Sequence, residues 1–255
     1  MSTQDSTHSI DINCDLGEGE TIAYCEKDAL LMPFISSCNI ACGGHAGNEL
    51  TIASSLSNAI KHQLRIGAHP GYPDKDNFGR VSLSISTDKL KKSLRQQIDL
   101  ISAIASKNKL QLNHIKFHGA LYNDIETDSL LADELAKFCK KYFPSMKLLG
   151  LANGNLKAAS KKHEIEFIAE GFMDRAYLSN GKLSPRSTKG SVFENKNDVI
   201  NQALSLATNQ RVKTVDQKFI ETKVDSICLH GDNPNALTIA QSVYLAMPES
   251  GVQIK

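Results

Sequence analysis

The feature that most constrains this chain is a repeated alternation of short apolar runs with longer amphipathic segments. Residues 9–14 alternate as a strand does, whereas residues 87–107 carry leucine and isoleucine at helical spacing. About seven strand–helix units follow one another, which favours a parallel sheet in an α/β fold. The chain has 255 residues and no glycine- or serine-rich linker. We therefore expect one domain over residues 1–255, folded as a single (β/α) barrel rather than an open sheet.

The charge balance gives no electrostatic reason to expect nucleic acid or a membrane surface as a partner. Lysine and arginine number 29 against 28 aspartates and glutamates, which leaves a net charge of +1. Residues 1–9 are polar, without the basic start and apolar run of a secretory signal, and no stretch is apolar over the length of a membrane span. The six cysteines are scattered, so free thiols are expected. These features predict a cytoplasmic protein that acts on a small molecule.

Five titratable side chains each follow a predicted strand by a few residues at most. They are Asp15, His45, His69, His118 and His230. In parallel α/β folds the carboxyl ends of the strands converge on one rim, where ligands bind. A single histidine after a strand is more often a capping or packing residue, but five in register favour a shared site. The sequence thus predicts that these side chains surround one pocket.

Further candidates lie at the same predicted edge. Lys116 and His118 share one face of a strand because side chains alternate with a period of two. The irregular segment 171–192 has a length typical of an active-site cover. We expect this segment to be mobile and to hold a substrate carboxylate through Arg175 or Arg186. A helix predicted over residues 234–246 offers its N-terminal amides to an anion.

Other patterns favour structural roles. Cys38, Cys42 and His45 have a spacing near that of zinc ligands, but no second ligand pair follows. No phosphate-binding GxxxxGK[ST] loop occurs in the sequence. The remaining histidines are expected to do no chemistry: His8, His62, His114 and His163.

Eight sequence blocks, in this order, resemble the LamB/YcsF family over nearly the whole chain. They are residues 11–18 (DINCDLGE), 39–43 (NIACG), 45–47 (HAG), 67–71 (GAHPG), 78–80 (FGR), 118–123 (HGALYN), 174–177 (DRAY) and 230–232 (HGD). The resemblance implies a (β/α) barrel of the glycoside hydrolase/deacetylase type. It also implies ATP-dependent opening of 5-oxoproline, a cyclic amide, to glutamate, in a complex with two partner subunits, B and C.

The chemistry of amide opening assigns roles to these residues. Asp15 or His69 is the candidate general base, and His45 and His118 are candidate orienting or acid groups. The candidate substrate-binding residues are Asn13, Asn39, Arg80, Lys116, Asp174, Arg175, His230 and Asp232. Because a phosphate loop is missing, we expect ATP to be held by an unusual site here or mainly by the partner subunits.

Two other functions stay open at the level of sequence. A metal-dependent deacetylase acting on the amide of a sugar would bind a divalent ion through Asp15, His45 and His69. A non-catalytic subunit would only bind substrate for a partner enzyme. In that second case, mutation of Asp15 or His69 would leave the activity of the complex intact.

Overall fold

In the computed structural model, which describes residues 8–233 and 235–255, parallel strands close into a barrel. The strands are β1 (His8–Leu16), β2 (Ser37–Ala41), β3 (Arg65–His69), β4 (His114–Lys116), β5 (Lys147–Leu151), β6 (Phe167–Phe172), β7 (Arg211–Lys213), β8 (Phe219–Glu221), β9 (Ser226–His230) and β10 (Val252–Ile254). Strands β1 to β6 and β9 run parallel, and β9 pairs with β1 to close the ring. Strand β10 extends the start of β1, and β7 and β8 form a separate antiparallel pair. This topology confirms the predicted (β/α) barrel of about seven strands.

Helices cover the outside of the barrel. They are α1 (Ile22–Ala29), α2 (Glu49–Lys61), α3 (Thr87–Lys107), α4 (Gly119–Thr127), α5 (Ser129–Tyr142), α6 (Asn155–Lys162), α7 (Lys196–Leu204) and α8 (Ala236–Glu249). Helix α3 has the predicted bounds, and its apolar stripe of Leu94, Ile98 and Ile101 is fully buried. Helix α2 begins at a capping box, in which the Asn48 side chain accepts hydrogen bonds from the amides of Leu50 and Thr51.

The interior of the barrel is polar, and this is what positions the site. Along β1 the apolar side chains of Ile12 and Cys14 pack into the hydrophobic core, whereas Asp11 and Asn13 alternate with them. The Asp11 carboxylate accepts hydrogen bonds from Ser37 on β2 and from a serine of β9. The Asn13 amide bonds across the barrel to β2, β6 and β9. Stacked polar layers of this kind lead up the axis to Asp15 at the carboxyl rim.

Strand β6 lies further along the chain than the sequence predicts. The expected strand covers residues 165–169, but the observed strand is Phe167–Phe172. A glutamate and a glycine, Glu170 and Gly171, end the apolar run in the sequence. In the barrel Glu170 is fully buried because it pairs with Lys116. The buried ion pair therefore extends the strand past the point where hydrophobicity ends.

Two helices and the bounds of several others also differ from the prediction. Helices α1 and α4 were not expected, because each is short and lies directly after a glycine-containing strand end. Helix α8 begins at Ala236 rather than at residue 234. The proline predicted in its first turn, Pro234, lies outside the described residues, as do residues 1–7. The assignment of residues 1–255 to one domain stays a prediction.

A helix that crosses a bilayer needs about 20 mostly apolar residues. Not one helix within residues 8–233 and 235–255 is both long and apolar enough to do so.

Candidate active site

A cavity of about 570 Å³ opens at the carboxyl ends of the barrel strands. Asp15 of β1, His69 of β3, Lys116 of β4 and His230 of β9 line it, together with residues of the loop after β6. A second depression, of about 450 Å³, lies on the outer surface between α3 and α5 and contains none of the predicted site residues. The strand-end cavity is thus the candidate active site.

The base of the cavity is a buried network of charges centred on Lys116. The Lys116 ammonium lies 2.9 Å from Asp15 Oδ1 and 2.8 Å from Glu170 Oε1. The Asn39 amide donates a second hydrogen bond to the same Asp15 oxygen, at 2.7 Å. The Cys228 thiol lies 3.2 Å from the ammonium. Asp15 is therefore held through one oxygen, while its Oδ2 lies 3.5 Å from His69 Nε2.

These contacts decide which groups carry charge. Burial opposes the ionisation of Asp15, but the neighbouring His69 ring and Lys116 ammonium lower its pKa below the usual range. Burial likewise opposes the charge of Lys116, but Asp15, Cys228 and Glu170 raise its pKa well above the usual value. Burial raises the pKa of Glu170. The result is an ionised Asp15–Lys116 pair inside the barrel.

One wall of the cavity is formed by three histidines around Glu18. The carboxylate oxygen Glu18 Oε1 lies 3.2 Å from His118 Nδ1, 3.3 Å from His45 Nε2 and 3.7 Å from His69 Nε2. Burial opposes ionisation of Glu18, but its contacts with the His118 and His45 rings lower its pKa well below the usual value. Burial lowers the pKa of His69 to about 3 and also lowers that of His45. His45 and His69 are therefore neutral at pH 7.

Backbone carbonyls orient two of these rings. His69 Nδ1 donates to the carbonyl of Lys116 at 2.8 Å, and His118 Nε2 donates to the carbonyl of Phe78 at 2.9 Å. Because a carbonyl only accepts hydrogen bonds, His69 Nδ1 and His118 Nε2 each carry a proton. His45 stacks on His118 with ring centroids 3.6 Å apart and an interplanar angle of 4°.

Glycines allow the loop after β3 to pack on this wall. Gly79 has a φ of +61°, and a Cβ there would lie 2.7 Å from the Cβ of His45. Gly119, with a φ of +56°, approaches the Gly79 carbonyl so closely that a Cβ would lie 2.6 Å from it. Larger residues at either position would push the loop off the histidines.

The first residues of the loop after β6 are buried. Asp174 and Arg175 are 1% and 4% exposed. Asp174 accepts from His230 Nδ1 at 2.9 Å, and Arg175 donates to the carbonyls of Ser184 and Ser191 at 2.6 and 3.2 Å. Burial and the nearby Arg186 guanidinium lower the pKa of Arg175 to about 10. The Arg175 guanidinium thus holds the loop itself. The mobile cover over residues 171–192 stays a prediction, and residues 185–190 of this segment are exposed.

The predicted site residues fall into two groups. Eight line the cavity: Asp15, His69, Arg80, Lys116, His118, Arg175, His230 and Asp232. Four lie behind its surface: Asn13, Asn39, His45 and Asp174. Arg80 and Asp232 form an ion pair across the mouth of the cavity. Asn13 and Asn39 are fully buried, with their amides bonded to Glu170, Ser226, Asn13 and Asp15. Their role in substrate binding stays a prediction.

Sequence reasoning missed several residues of the site. Glu18 stands in the block at residues 11–18, but its distance from the histidines depends on the turn after β1. Glu170 was missed because the strand was placed too early. Glu126 was missed because helix α4, which contains it, was not predicted. It lines the cavity, and its Oε2 lacks a hydrogen-bond partner among the described residues. Burial raises its pKa to about 7. His114, expected to do no chemistry, is a buried partner of Asn39 at 2.6 Å.

Within residues 8–233 and 235–255, two groups of side chains are close enough to hold a metal ion. The ligand atoms of Glu18, His45, His69 and His118 all lie within 4.8 Å of one another. Asp15 falls in a different group, with Cys228 and His230. The candidate set Asp15, His45 and His69 is thus divided between the two groups, and Asp15 Oδ1 is held by Lys116 and Asn39.

Sequence comparison shows the family to which this chain is related. The sequence model of the LamB/YcsF family matches residues 10–255. The chain belongs to the LamB/YcsF family. Its relatives in this family include the 5-oxoprolinase A-subunit of Neisseria meningitidis, 36% identical over 96% of this chain and 98% of the relative. The 5-oxoprolinase A-subunit of Histophilus somni is 37% identical over 96% of this chain and 97% of the relative.

Solved structures agree with the LamB/YcsF assignment. The crystal structure of a lactam utilization protein from Thermus thermophilus has a TM-score of 0.89 and 31% sequence identity, covering 97% of this chain and 99% of that one. A putative cellobiose-phosphate cleavage protein from Enterococcus faecalis has a TM-score of 0.60 at 13% identity, over 98% of this chain and 97% of that one, and so shares the fold alone. A β-1,4-mannanase shares it too, with a TM-score of 0.53 at 11% identity. These two structures support the (β/α)-barrel fold alone.

Proposed function

We propose that this chain opens the ring of 5-oxoproline to give glutamate, as the A-subunit of an ATP-dependent 5-oxoprolinase that also contains subunits B and C. The observation that carries the proposal is the held carboxylate of Asp15. One of its oxygens is fixed by Lys116 and Asn39, and the other faces His69 at the base of the cavity. The relatives that are named as 5-oxoprolinase A-subunits support the choice of substrate.

The chemistry explains why ATP is needed. An unstrained lactam resists attack by water at neutral pH, so transfer of a phosphoryl group from ATP to the amide oxygen activates the ring carbon. Water then adds to this carbon, and the C–N bond breaks as the nitrogen takes up a proton. The resulting acyl phosphate is hydrolysed by a second water to glutamate and phosphate. Each step needs a proton acceptor or donor close to the ring carbon.

Asp15 is the group that we assign to proton uptake from water. Lys116 and Asn39 hold its Oδ1, and its Oδ2 lies on the side of His69 at the base of the cavity. His69 Nδ1 donates to a backbone carbonyl, which fixes the ring beside this oxygen. Lys116 holds Asp15 in place and balances its charge rather than binding a substrate anion, because two carboxylates already surround its ammonium.

The substrate carboxylate is assigned to the loop after β6. Arg186 is exposed at the mouth of the cavity, and Arg175 lies behind it, partly used by backbone carbonyls. A guanidinium binds a carboxylate through two parallel hydrogen bonds, which fixes the orientation of a small ligand. This leaves the lactam end of 5-oxoproline toward Asp15 and His69.

The assignment of the ATP-binding site rests on a motif that the sequence lacks. Since no phosphate loop of the Walker type occurs, we assign nucleotide binding mainly to the partner subunits. A cytoplasmic location agrees with the use of ATP and with six cysteines that are all free and buried.

A metal-dependent sugar deacetylase has less support. That function was expected to use Asp15, His45 and His69 as one ligand set, but Asp15 is held by Lys116 and Asn39 away from His45. A non-catalytic binding subunit would not need an ionised carboxylate buried beside a neutral histidine.

Reconstitution tests the proposal. The purified chain is mixed with partner subunits B and C, and the formation of ADP and glutamate is measured against 5-oxoproline concentration. We expect glutamate formation only when all three subunits and ATP are present. Substantial glutamate formation by the isolated chain would contradict the partner requirement. An ATPase activity of the complex that does not depend on 5-oxoproline, with no glutamate formed, would contradict the substrate.

A further inference from the structure

Two histidine ring nitrogens in the cavity wall, His69 Nε2 and His118 Nδ1, face each other at 3.0 Å. The other nitrogen of each ring, His69 Nδ1 and His118 Nε2, donates to a backbone carbonyl. The facing nitrogens are therefore the ones whose lone pairs the two rings can offer to a ligand. Glu18 Oε1, a third acceptor, lies 3.2 Å from His118 Nδ1. Three lone pairs that converge in this way require a cation or an additional proton at their centre.

The spacing of the three acceptors fits a tetrahedral metal ion. Ligand atoms that are bound to zinc at 2.0–2.1 Å in tetrahedral geometry lie about 3.3–3.4 Å from one another. The three separations among Glu18 Oε1, His69 Nε2 and His118 Nδ1 are 3.0, 3.2 and 3.7 Å, which bracket that value. Two histidines and one glutamate with an open fourth position form a known zinc ligand set.

The surroundings of the histidines also fit a metal site. Histidines that bind metals usually donate their second ring N–H to a carbonyl or carboxylate, as His69 and His118 both do. His45 has a different place, because its ring lies parallel to that of His118 at 3.6 Å. An ion in the plane of the His118 ring would lie well outside the plane of His45. His45 is therefore left to donate from Nε2 to Glu18 Oε1, at 3.3 Å.

The wall contains a carboxylate that no lysine or arginine neutralises among the described residues. Within the described part of the chain, the ion-pair partners of Glu18 are His45, His69 and His118, and none is a lysine or an arginine. Lys116 is taken by Asp15 and Glu170. A largely buried carboxylate is costly unless it is paired or binds a metal.

We propose that Glu18, His69 and His118 bind a divalent transition-metal ion, with zinc as the best-fitting one, in the wall of the cavity. The fourth position faces the cavity, which Glu18, His69 and His118 all line. The site goes beyond the proposed lactam-opening function and does not depend on it, since its ligands follow from the hydrogen bonding of the chain alone. It also replaces the set Asp15, His45 and His69 that the sequence indicates.

Equilibrium binding by the intact chain tests the site. The protein is treated with a chelator, dialysed, and titrated with Zn²⁺ by calorimetry and by competition with a chromogenic chelator. We expect saturable binding of one ion per chain, weakened at least about 100-fold in Glu18→Gln and in His118→Ala, because loss of a direct ligand exceeds the roughly 10–100-fold effect of outer partners. Co²⁺ in the same site should give the visible absorption bands of a tetrahedral ion, and His118→Ala should change them.

His62→Ala is the matched control, since His62 is an exposed histidine at the end of α2. It should bind Zn²⁺ as the wild type does, and thermal unfolding should show that all variants are folded. The near-isosteric Glu18→Gln keeps the test decisive if His118→Ala does not fold. Absence of saturable binding, or equal binding in Glu18→Gln and wild type, would overturn the site and assign the contacts to a shared proton. The measurement of Zn²⁺ binding uses no substrate. A negative result would therefore reject the metal site without bearing on the proposed opening of the lactam.

Discussion

Lys116 shows how a single residue connects the fold to the site. Its side chain is 2% exposed and its ammonium joins Asp15 of β1 to Glu170 of β6 across the barrel. Removal of one partner from a buried ion network leaves the others as unpaired buried charges. The same residue therefore controls stability and the position of the candidate base.

Substitution of Lys116 by methionine tests this role. We expect Lys116→Met to lower the free energy of unfolding by about 3–5 kcal/mol, because Asp15 and Glu170 lose their buried cation. Urea denaturation measures the change. The control is Lys91→Met. Lys91 of α3 forms a surface ion pair with Glu134 of α5, and loss of this pair should cost about 1 kcal/mol or less. Equal, small losses in both variants would contradict the buried network.

Glu126 should give the protein a measurable pH dependence. Burial raises its pKa from 4.5 to about 7. Between these values the unfolded chain releases the proton and the folded chain keeps it, so stability falls as pH rises. We expect the wild type to lose up to about 3 kcal/mol relative to Glu126→Gln over this interval.

Urea unfolding at either end of that pH interval checks the Glu126 prediction. Glu249→Gln, a change at an exposed glutamate of α8, serves as the control and should follow the wild-type profile. If Glu126→Gln and the wild type change in parallel with pH, then Glu126 does not hold a proton in the folded state.

Residue by residue, the sequence predicts the parts of the site that follow strand ends. Asp15, His69 and His118 were predictable because parallel strands bring their carboxyl ends together. Glu170 was not, since a charged residue inside a strand has no apolar signal and needs Lys116 from another strand to explain it. Glu18 needed the turn after β1, which spacing does not specify.

At the scale of elements, the loop after β6 combines a buried base with an exposed tip. Its base is held by Arg175 and by the Gln202 amide of α7, which donates to the carbonyls of Phe172 and Arg175. Residues 185–190 are exposed, and Arg186 among them lines the cavity. This division predicts that changes at the tip affect substrate binding more than folding.

Arg186→Ala tests the tip of the loop. In the reconstituted complex we expect KM for 5-oxoproline to rise about 10-fold or more with kcat little changed, because a charge-assisted contact to the bound substrate is lost. Lys189→Ala, at an exposed residue of the same tip that is outside the cavity lining, is the control and should leave KM near the wild-type value. An unchanged KM in Arg186→Ala would indicate that the loop connects β6 to α7 without binding substrate.

Long periodic elements were predictable, and short ones were not. Helix α3 has its predicted bounds because a 21-residue segment with a clear apolar stripe leaves little choice of helix face. Helices α1 and α4, of 8 and 9 residues, contain too few turns to give a periodic signal. The missed α4 also concealed Glu126.

For the whole molecule, closure of the barrel is the property that spacing alone does not determine. The pairing of β1 with β9 joins residues more than 200 positions apart, such as Asn13 and Cys228. Closure depends on strand tilt and stagger, which a single sequence does not display. It brings Asp15 of β1 beside His230 of β9 in register and so completes the cavity.

The most direct test of the central claim uses Asp15→Asn in the reconstituted complex. We infer that the cavity of this chain opens the lactam with Asp15 as its proton acceptor. The measurement is the rate of 5-oxoproline-dependent glutamate formation, with assembly with subunits B and C checked by size-exclusion chromatography. We expect a fall of at least about 100-fold in an assembled complex, because a general base is lost. A rate within about 3-fold of the wild type, too small for loss of such a group, would contradict it and favour a protein that only binds substrate for its partners.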